Sequence, residues 1–158
     1  MRIRAAVLSD DEFIGQLSVV FAPFGDYRRL LPEWFRLPGV MTFVSEADGQ
    51  RTGYVMLAFF RESQLLVGDI LAIGVAPAFQ DRGVGRTLLQ HAIEVCERVA
   101  ENSPVRALRL SVAQNNSRAR HLFESCGFQE VQGDFGLYDG GQRALHLERP
   151  TRSPAVLR

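Results

Sequence analysis

Gln80, Gly83 and Gly85 stand in the spacing Q-x-x-G-x-G, between an apolar run at Ile70 to Val75 and a long segment with helical periodicity. Residues of these types at this spacing can hold a phosphorylated ligand on main-chain amides. The first N–H groups of a helix have no intrahelical partner, and the backbone dipole makes that end positive. Glycine at 83 and 85 removes side chains that would keep an anion away. A phosphate or diphosphate could therefore rest on the loop Gln80-Asp81-Arg82-Gly83-Val84-Gly85-Arg86, with the Arg82 and Arg86 guanidiniums adding charge. A Walker loop is excluded, because it needs a Lys after its second glycine and all eighteen basic residues here are Arg. A dinucleotide fingerprint needs a third glycine where Leu88 stands.

The elements that must position this loop are legible on either side of it. Ile70 to Val75, the end of a strand expected over Leu65 to Val75, is closed by Pro77. After the loop, Val84, Leu88, Leu89, Ala92, Ile93, Cys96, Val99 and Ala100 recur on one helical face, and Asn102-Ser103-Pro104 ends the helix. Upstream, Ile3 to Val7 reads as a strand, and Ser9 with Glu12 fits a capping box for a helix with Phe13, Ile14, Leu17, Val20 and Phe21 inward. A second helix is expected over Tyr27 to Arg36. Val40 to Ser45 and Gly53 to Arg61 form a hairpin around Asp48-Gly49. Downstream come a strand at Arg106 to Ala113, a helix capped at Asn115-Asn116-Ser117 and stopped at Gly127, and a last hairpin of Phe128 to Tyr138 with Gln142 to Glu148. The order β-α-α-β-β-β-α-β-α-β-β predicts an α/β domain over residues 1–150, its mixed, mostly antiparallel central sheet carrying helices on both faces. Residues 151–158 read as a flexible tail.

Composition narrows the function classes. Eighteen acids balance eighteen arginines, so no overall field points to nucleic acid or an anionic membrane as partner. No apolar run reaches the roughly 20 residues of a membrane span, and the N-terminus lacks the apolar core of a signal peptide. Cys96 and Cys126 suit neither a disulfide framework nor a metal site, and the three histidines are scattered, so reduced thiols, a cytoplasmic location and no metal are expected.

The loop, the strand ending Ile73-Gly74-Val75-x-Pro77 before it and the helix after it resemble the acyl-CoA signature of the GNAT-superfamily N-acetyltransferases. Asn116-x-x-Ala119-x-x-Leu122-Phe123-x-x-x-Gly127-Phe128 resembles the family's N-x-x-A-x-x-L-Y-x-x-x-G-F segment. The resemblance covers nearly the whole chain and implies acetyl-CoA as co-substrate and an amine-bearing acceptor, a small molecule or a protein N-terminus, with a homodimer possible. It implies a bulge at Gly74, pantetheine contacts from the Ile73 and Val75 main chain, an oxyanion donor in the Val75 N–H, and cofactor contacts from Asn116, Ala119 and Phe123. Phe123 replaces the family's usual acidic Tyr and cannot give a proton to a thiolate. Tyr138 is the first candidate to replace it, Cys126 is another, and water is a third source of the proton for the departing thiolate. Asp69 lies six residues before Val75, where some members carry a catalytic Glu, and even offsets place Asp69, Leu71, Ile73 and Val75 on one face unless a bulge shifts the register. Phe21, Phe24, Tyr27, Trp34 and Phe35 would wall the acceptor side, with Trp34 and Phe35 reading mainly as core. The reading is direct transfer from acetyl-CoA to a primary amine. A catalytically silent acyl-CoA-binding module, and O-acyl or longer-acyl transfer, are the alternatives.

Overall fold

The computed structural model describes residues 1–152. The chain runs β1 (Arg2–Ala5), α1 (Asp11–Gln16), α2 (Leu30–Arg36), β2 (Met41–Ala47), β3 (Gln50–Glu62), β4 (Leu65–Val75), α3 (Val84–Asn102), β5 (Val105–Ala113), α4 (Ser117–Ser125), β6 (Gln129–Glu130) and β7 (Ala144–Pro150). The seven strands form one sheet in the order β1-β2-β3-β4-β5-β7-β6. The β4–β5 pair is parallel and the others are antiparallel. This is the mixed, mostly antiparallel α/β arrangement expected from the order of elements.

Strand alternation sorts the apolar residues into two layers. Val55 and Leu57 of β3 face Leu88, Leu89, Ala92 and Cys96 of α3, with Leu108 and Leu110 of β5. Their neighbours Tyr54 and Met56 face Ile14, Leu17 and Leu31 under α1 and α2. Fully burying a leucine such as Leu88 or Leu89 contributes roughly 1.5–3 kcal/mol. The β2–β3 turn has Asp48 at φ 52° and Gly49 at φ 75°, the left-handed pair that matches the twist of a two-residue hairpin.

Several expectations are corrected. The second helix starts at Leu30 rather than Tyr27, because the Asp26 carboxylate accepts from the Arg28 amide at 3.2 Å and holds a turn there. The last hairpin keeps only Gln129–Glu130 of the strand drawn to Tyr138. Gly133, Gly136 and Gly141 have φ of 150°, 81° and 92°, which breaks the pleat, and Leu137 meets Arg143 in an isolated bridge. Of the tail expected over 151–158, residues 153–158 lie outside the described residues, and Thr151 is buried with its amide donating to the Arg106 carbonyl at 3.2 Å.

The capping box of the first helical stretch is formed by Val7 and Asp10, not by Ser9 with Glu12. The Asp10 side chain is 0% exposed and accepts from the Val7 amide at 2.7 Å. Arg4 donates to both its oxygens at 2.8 and 2.9 Å, and Arg51 adds Nε at 2.6 Å. One carboxylate thus ties β1, the turn into α1 and β3 together. The Arg4 guanidinium holds the Asp10 carboxyl well below the usual carboxylate range, against the opposing effect of burial. A group depressed in the folded state adds stability above its unfolded pKa, and that stability is lost as pH falls toward the folded value. Asp10→Asn is therefore expected to lower unfolding free energy at pH 7 by about 3 kcal/mol. Denaturant titrations should also show its stability falling less than the wild type's below pH 4.

Candidate active site

β4 pairs with β3 along its whole length but with β5 only from Leu66 to Ile70. Met56 lies opposite Ala72 and Leu57 opposite Ile70, so Leu71 is an extra residue in β4, a bulge. Past it the two parallel strands part. Ala76 N–H donates to Thr52 O at 2.8 Å, toward β3. Alternation then turns the Val75 and Ile73 amides to the other edge, facing the gap.

The bulge expected at Gly74 is therefore at Leu71. Gly74 serves a different end: a Cβ there would stand 3.3 Å from the Phe21 ring, so glycine lets Phe21 lie against the strand. The bulge also separates faces. Asp69 lies opposite Ala58 on the α1–α2 side, whereas Ile73 packs with the α3 layer. The shared face of Asp69, Ile73 and Val75 is thus lost, because one extra residue reverses side-chain direction.

The parted strands open into a cavity of about 240 Å³ lined by Ile73, Leu71, Ser111, Tyr138, Phe123 and the aromatic residues of the α1–α2 segment. Tyr138 reaches it from the loop before β7, and its hydroxyl meets Ser111 Oγ at 2.8 Å. Burial pushes the Tyr138 phenol up, with the Ser111 hydrogen bond partly offsetting it, so the phenol keeps its proton at neutral pH. Phe123 is 5% exposed and packs on Phe128, touching the cavity as a wall. Asp69 lies just outside the lining. Burial raises its carboxyl above the ordinary value, against Arg109, which donates to it at 3.3 Å. Trp34, read mainly as core, lines the cavity and is half-buried, while Phe35 packs in the α1–α2 layer.

The cavity runs on, past Ile73, Asn116 and Ala119, into a groove of about 700 Å³ over the glycine loop. Gly83 caps α3 at φ 80°, a left-handed conformation that favours glycine. Thr87 is the first α3 residue whose amide reaches back into the turn, to Gly83 O at 3.1 Å, so the amides of Val84, Gly85 and Arg86 lie at the open helix end. A Cβ on Gly85 would stand 3.4 Å from Leu122, so this glycine also lets α4 approach α3. Gln80 folds back, its Nε2 donating to Val75 O at 3.1 Å.

The charged side chains depart from the expected picture. Arg86 turns from the loop toward Ser125 Oγ and Cys126 Sγ, at 3.0 and 3.4 Å, and Arg82 lies 5.6 Å over the Phe79 ring. Asp81 pairs with Arg118 across the groove. The open end of α3 thus presents mainly main chain, with the helix dipole behind it. Asn116 caps α4 by accepting from the Ala119 amide at 3.3 Å while lining both groove and cavity. Ser111 lines the cavity, Arg118 lines the groove and Arg109 holds Asp69, and none of the three is among the residues expected from the sequence. The inward Leu108, Leu110 and Val112 already imply that Arg109 and Ser111 face the other side, whereas nothing local marks Arg118.

An open strand edge leading to a helix N-terminus fits a ligand with a diphosphate at one end and an amide-rich arm at the other. Residues 6–128 match the acetyltransferase (GNAT) family. The chain belongs to that family. It is an acetyl-CoA-dependent N-acetyltransferase, with acetyl-CoA its co-substrate. Among similar proteins, an N-alpha-acetyltransferase of Sulfurisphaera tokodaii is 27% identical over 157 residues, covering 94% of this chain and 92% of its own. A mycothiol acetyltransferase of Propionibacterium freudenreichii is 30% identical over 125 residues, 79% of this chain, which spans only 38% of that protein's length. The structure of Arabidopsis thaliana NAA60 with a bisubstrate analogue shares the fold, at a TM-score of 0.78 and 17% identity, covering 96% of this chain and 98% of that one. Among the described residues, no group of three or more His, Cys, Asp or Glu side chains is placed to hold a metal ion, and no helix is long and apolar enough to cross a membrane.

Two substitutions probe the loop of this GNAT chain. Gly83→Ala is expected to weaken CoA binding about tenfold through strain at φ 80°, since forcing an L-residue there costs roughly 1–2 kcal/mol. Gly83→Glu, which adds a like charge at the anion site, should weaken it at least a further tenfold by calorimetry.

Proposed function

We propose that the chain moves the acetyl group of acetyl-CoA directly to a primary amine, both substrates being bound together in the gap between β4 and β5. The observation that carries this reading is the unpaired edge of β4, whose Ile73 and Val75 amides face a gap that joins the loop groove to the cavity. In this reading the amides of Gly83 to Arg86 hold the diphosphate, with Gln80, Asp81 and Arg82 shaping the loop. The Ile73 main chain and the Asn116 amide group align the pantetheine arm, Ala119 leaves room for it, and Gly74 lets the Phe21 ring stand beside it.

The bound thioester supplies an activated acyl carbon. The Val75 N–H donates to its carbonyl oxygen as negative charge grows there. The amine nitrogen attacks that carbon, the C–S bond breaks and CoA leaves. Before it attacks, the bound ammonium gives a proton through water to Asp69, whose raised pKa makes it a stronger base than an ordinary carboxylate, and the nitrogen releases its second proton to solvent as the C–S bond breaks. The departing thiolate takes a proton from Tyr138, which recovers it from solvent. Tyr138 thus fills the role that Phe123 cannot. The positioning of two reactants contributes the larger share of the rate. The reaction belongs in the cytoplasm, in keeping with the free thiols of Cys96 and Cys126.

Thiol release from acetyl-CoA across a panel of primary amines tests the reaction class, and CoA binding with no release on any amine would overturn it. The proton roles have separate signatures. Asp69→Asn is expected to lower kcat about 10²-fold and to remove the acidic limb of kcat, which the raised carboxyl places above the usual Asp value. Tyr138→Phe should lower kcat about tenfold or more. It should also abolish the alkaline fall, which in the wild type lies above the ordinary phenol range because burial raises the phenol.

A further inference from the structure

The acceptor end of the cavity has a lining of unusual uniformity. Phe21, Tyr27 and Trp34 form a chain of edge-on aromatic contacts, with centroids 5.9 and 6.4 Å apart. Phe24 and Tyr138 close the opposite wall at 5.7 Å. Among the described residues, no side chain that lines the cavity carries a formal charge. Asp139 lies outside this lining, against Gly25.

A strap encloses these walls. Gln142 Nε2 donates to Pro23 O at 2.8 Å, and the Gly140 amide donates to Phe24 O at 3.2 Å. A Cβ on Gly140 would fall 2.1 Å from Pro23 O, so only glycine allows the loop before β7 to close this tightly on the α1–α2 segment. The space within these walls, about 240 Å³ and continuous with the groove, suits a small acceptor.

Building on the acetyl-transfer reading above, we propose that the acceptor is a small primary amine with an uncharged aromatic or aliphatic body. Each competing class meets a physical obstacle. A polyamine brings further ammonium groups, and the wall offers no carboxylate to receive them. A free amino acid brings a carboxylate, and the wall offers no guanidinium. A peptide N-terminus must carry its own amide groups past these rings, where Ser111, Asn116 and Tyr138 are among the few polar side chains of the lining, so most of those amide groups lose water without gaining partners. An apolar body loses nothing on entry, and the aromatic faces attract the single ammonium before it is deprotonated.

The test compares 2-phenylethylamine, hexylamine, spermidine, alanine and an alanine-led tetrapeptide with the full chain at saturating acetyl-CoA. We expect kcat/KM for 2-phenylethylamine to exceed that for spermidine, alanine and the tetrapeptide at least a hundredfold. Equal or better turnover of any of those three would overturn the acceptor class while leaving acetyl transfer intact. If no amine releases thiol, the transfer reading fails by itself, and binding still decides the acceptor class. Trp34 is the sole tryptophan, so its fluorescence in the CoA-bound protein should respond to 2-phenylethylamine and not to spermidine. The reverse response overturns the proposal. Phe24→Glu, at a half-buried position, should shift the kcat/KM ratio at least tenfold toward spermidine. An unchanged ratio in a variant with wild-type melting temperature counts against the aromatic wall. If that variant does not fold, the wild-type panel decides alone.

Discussion

Beyond Ile70, β4 and β5 have no hydrogen bonds in common, and the molecule's chemistry follows from that parting. β4 stays paired with β3 up to Val75, and β5 stays paired with β7 up to Ala113. With both strands held on their outer sides, the extra residue at Leu71 opens a wedge between them. Main-chain amides at such an edge must find partners, because an unpaired buried N–H is unfavourable. A ligand with amides and carbonyls of its own can take the place that the neighbouring strand vacates, so the edge acts as a template for an extended arm.

The wedge would aim poorly without fixed ends. At one end α3 begins at the tip of β4, and the left-handed Gly83 turns the chain so that the open helix end faces the same groove. Leu88, Leu89, Ala92 and Cys96 bury α3 against β3 and β5, which makes that orientation stiff. At the other end Asp10 holds β1, β3 and the start of α1 through paired guanidiniums, and so anchors the segment whose aromatic residues wall the cavity. The strap from Gly140 and Gln142 then sets how far that wall can move. Burial at the wedge also moves proton affinities, raising Asp69 and Tyr138 alike on the acceptor side.

The family pattern departs from its usual form at Phe123, and the geometry explains how a phenyl ring is tolerated there. Phe123 packs into the core against Phe128, while the hydroxyl of Tyr138 reaches the cavity from a different element. Tyr138 does so from an irregular loop, not from a strand, because the glycines at 133, 136 and 141 break the pleat. The same irregularity lets the loop bend over Phe24 and meet the α1–α2 segment.

Read alone, the chain of letters determined the order of elements, the full span of β4, the α3 helix with its glycine start, and the Asn116 cap. Those features depend on periodicity, capping and permitted dihedral angles, which are local along the chain. The bulge at Leu71, the face on which Asp69 lies, and the meeting of Tyr138 with Ser111 were decided only by the tertiary structure. So were the turning away of Arg86 and the strap that joins Pro23 to Gln142. Each depends on strand register or on which distant loop packs against which, and one residue of register reverses every side chain beyond it.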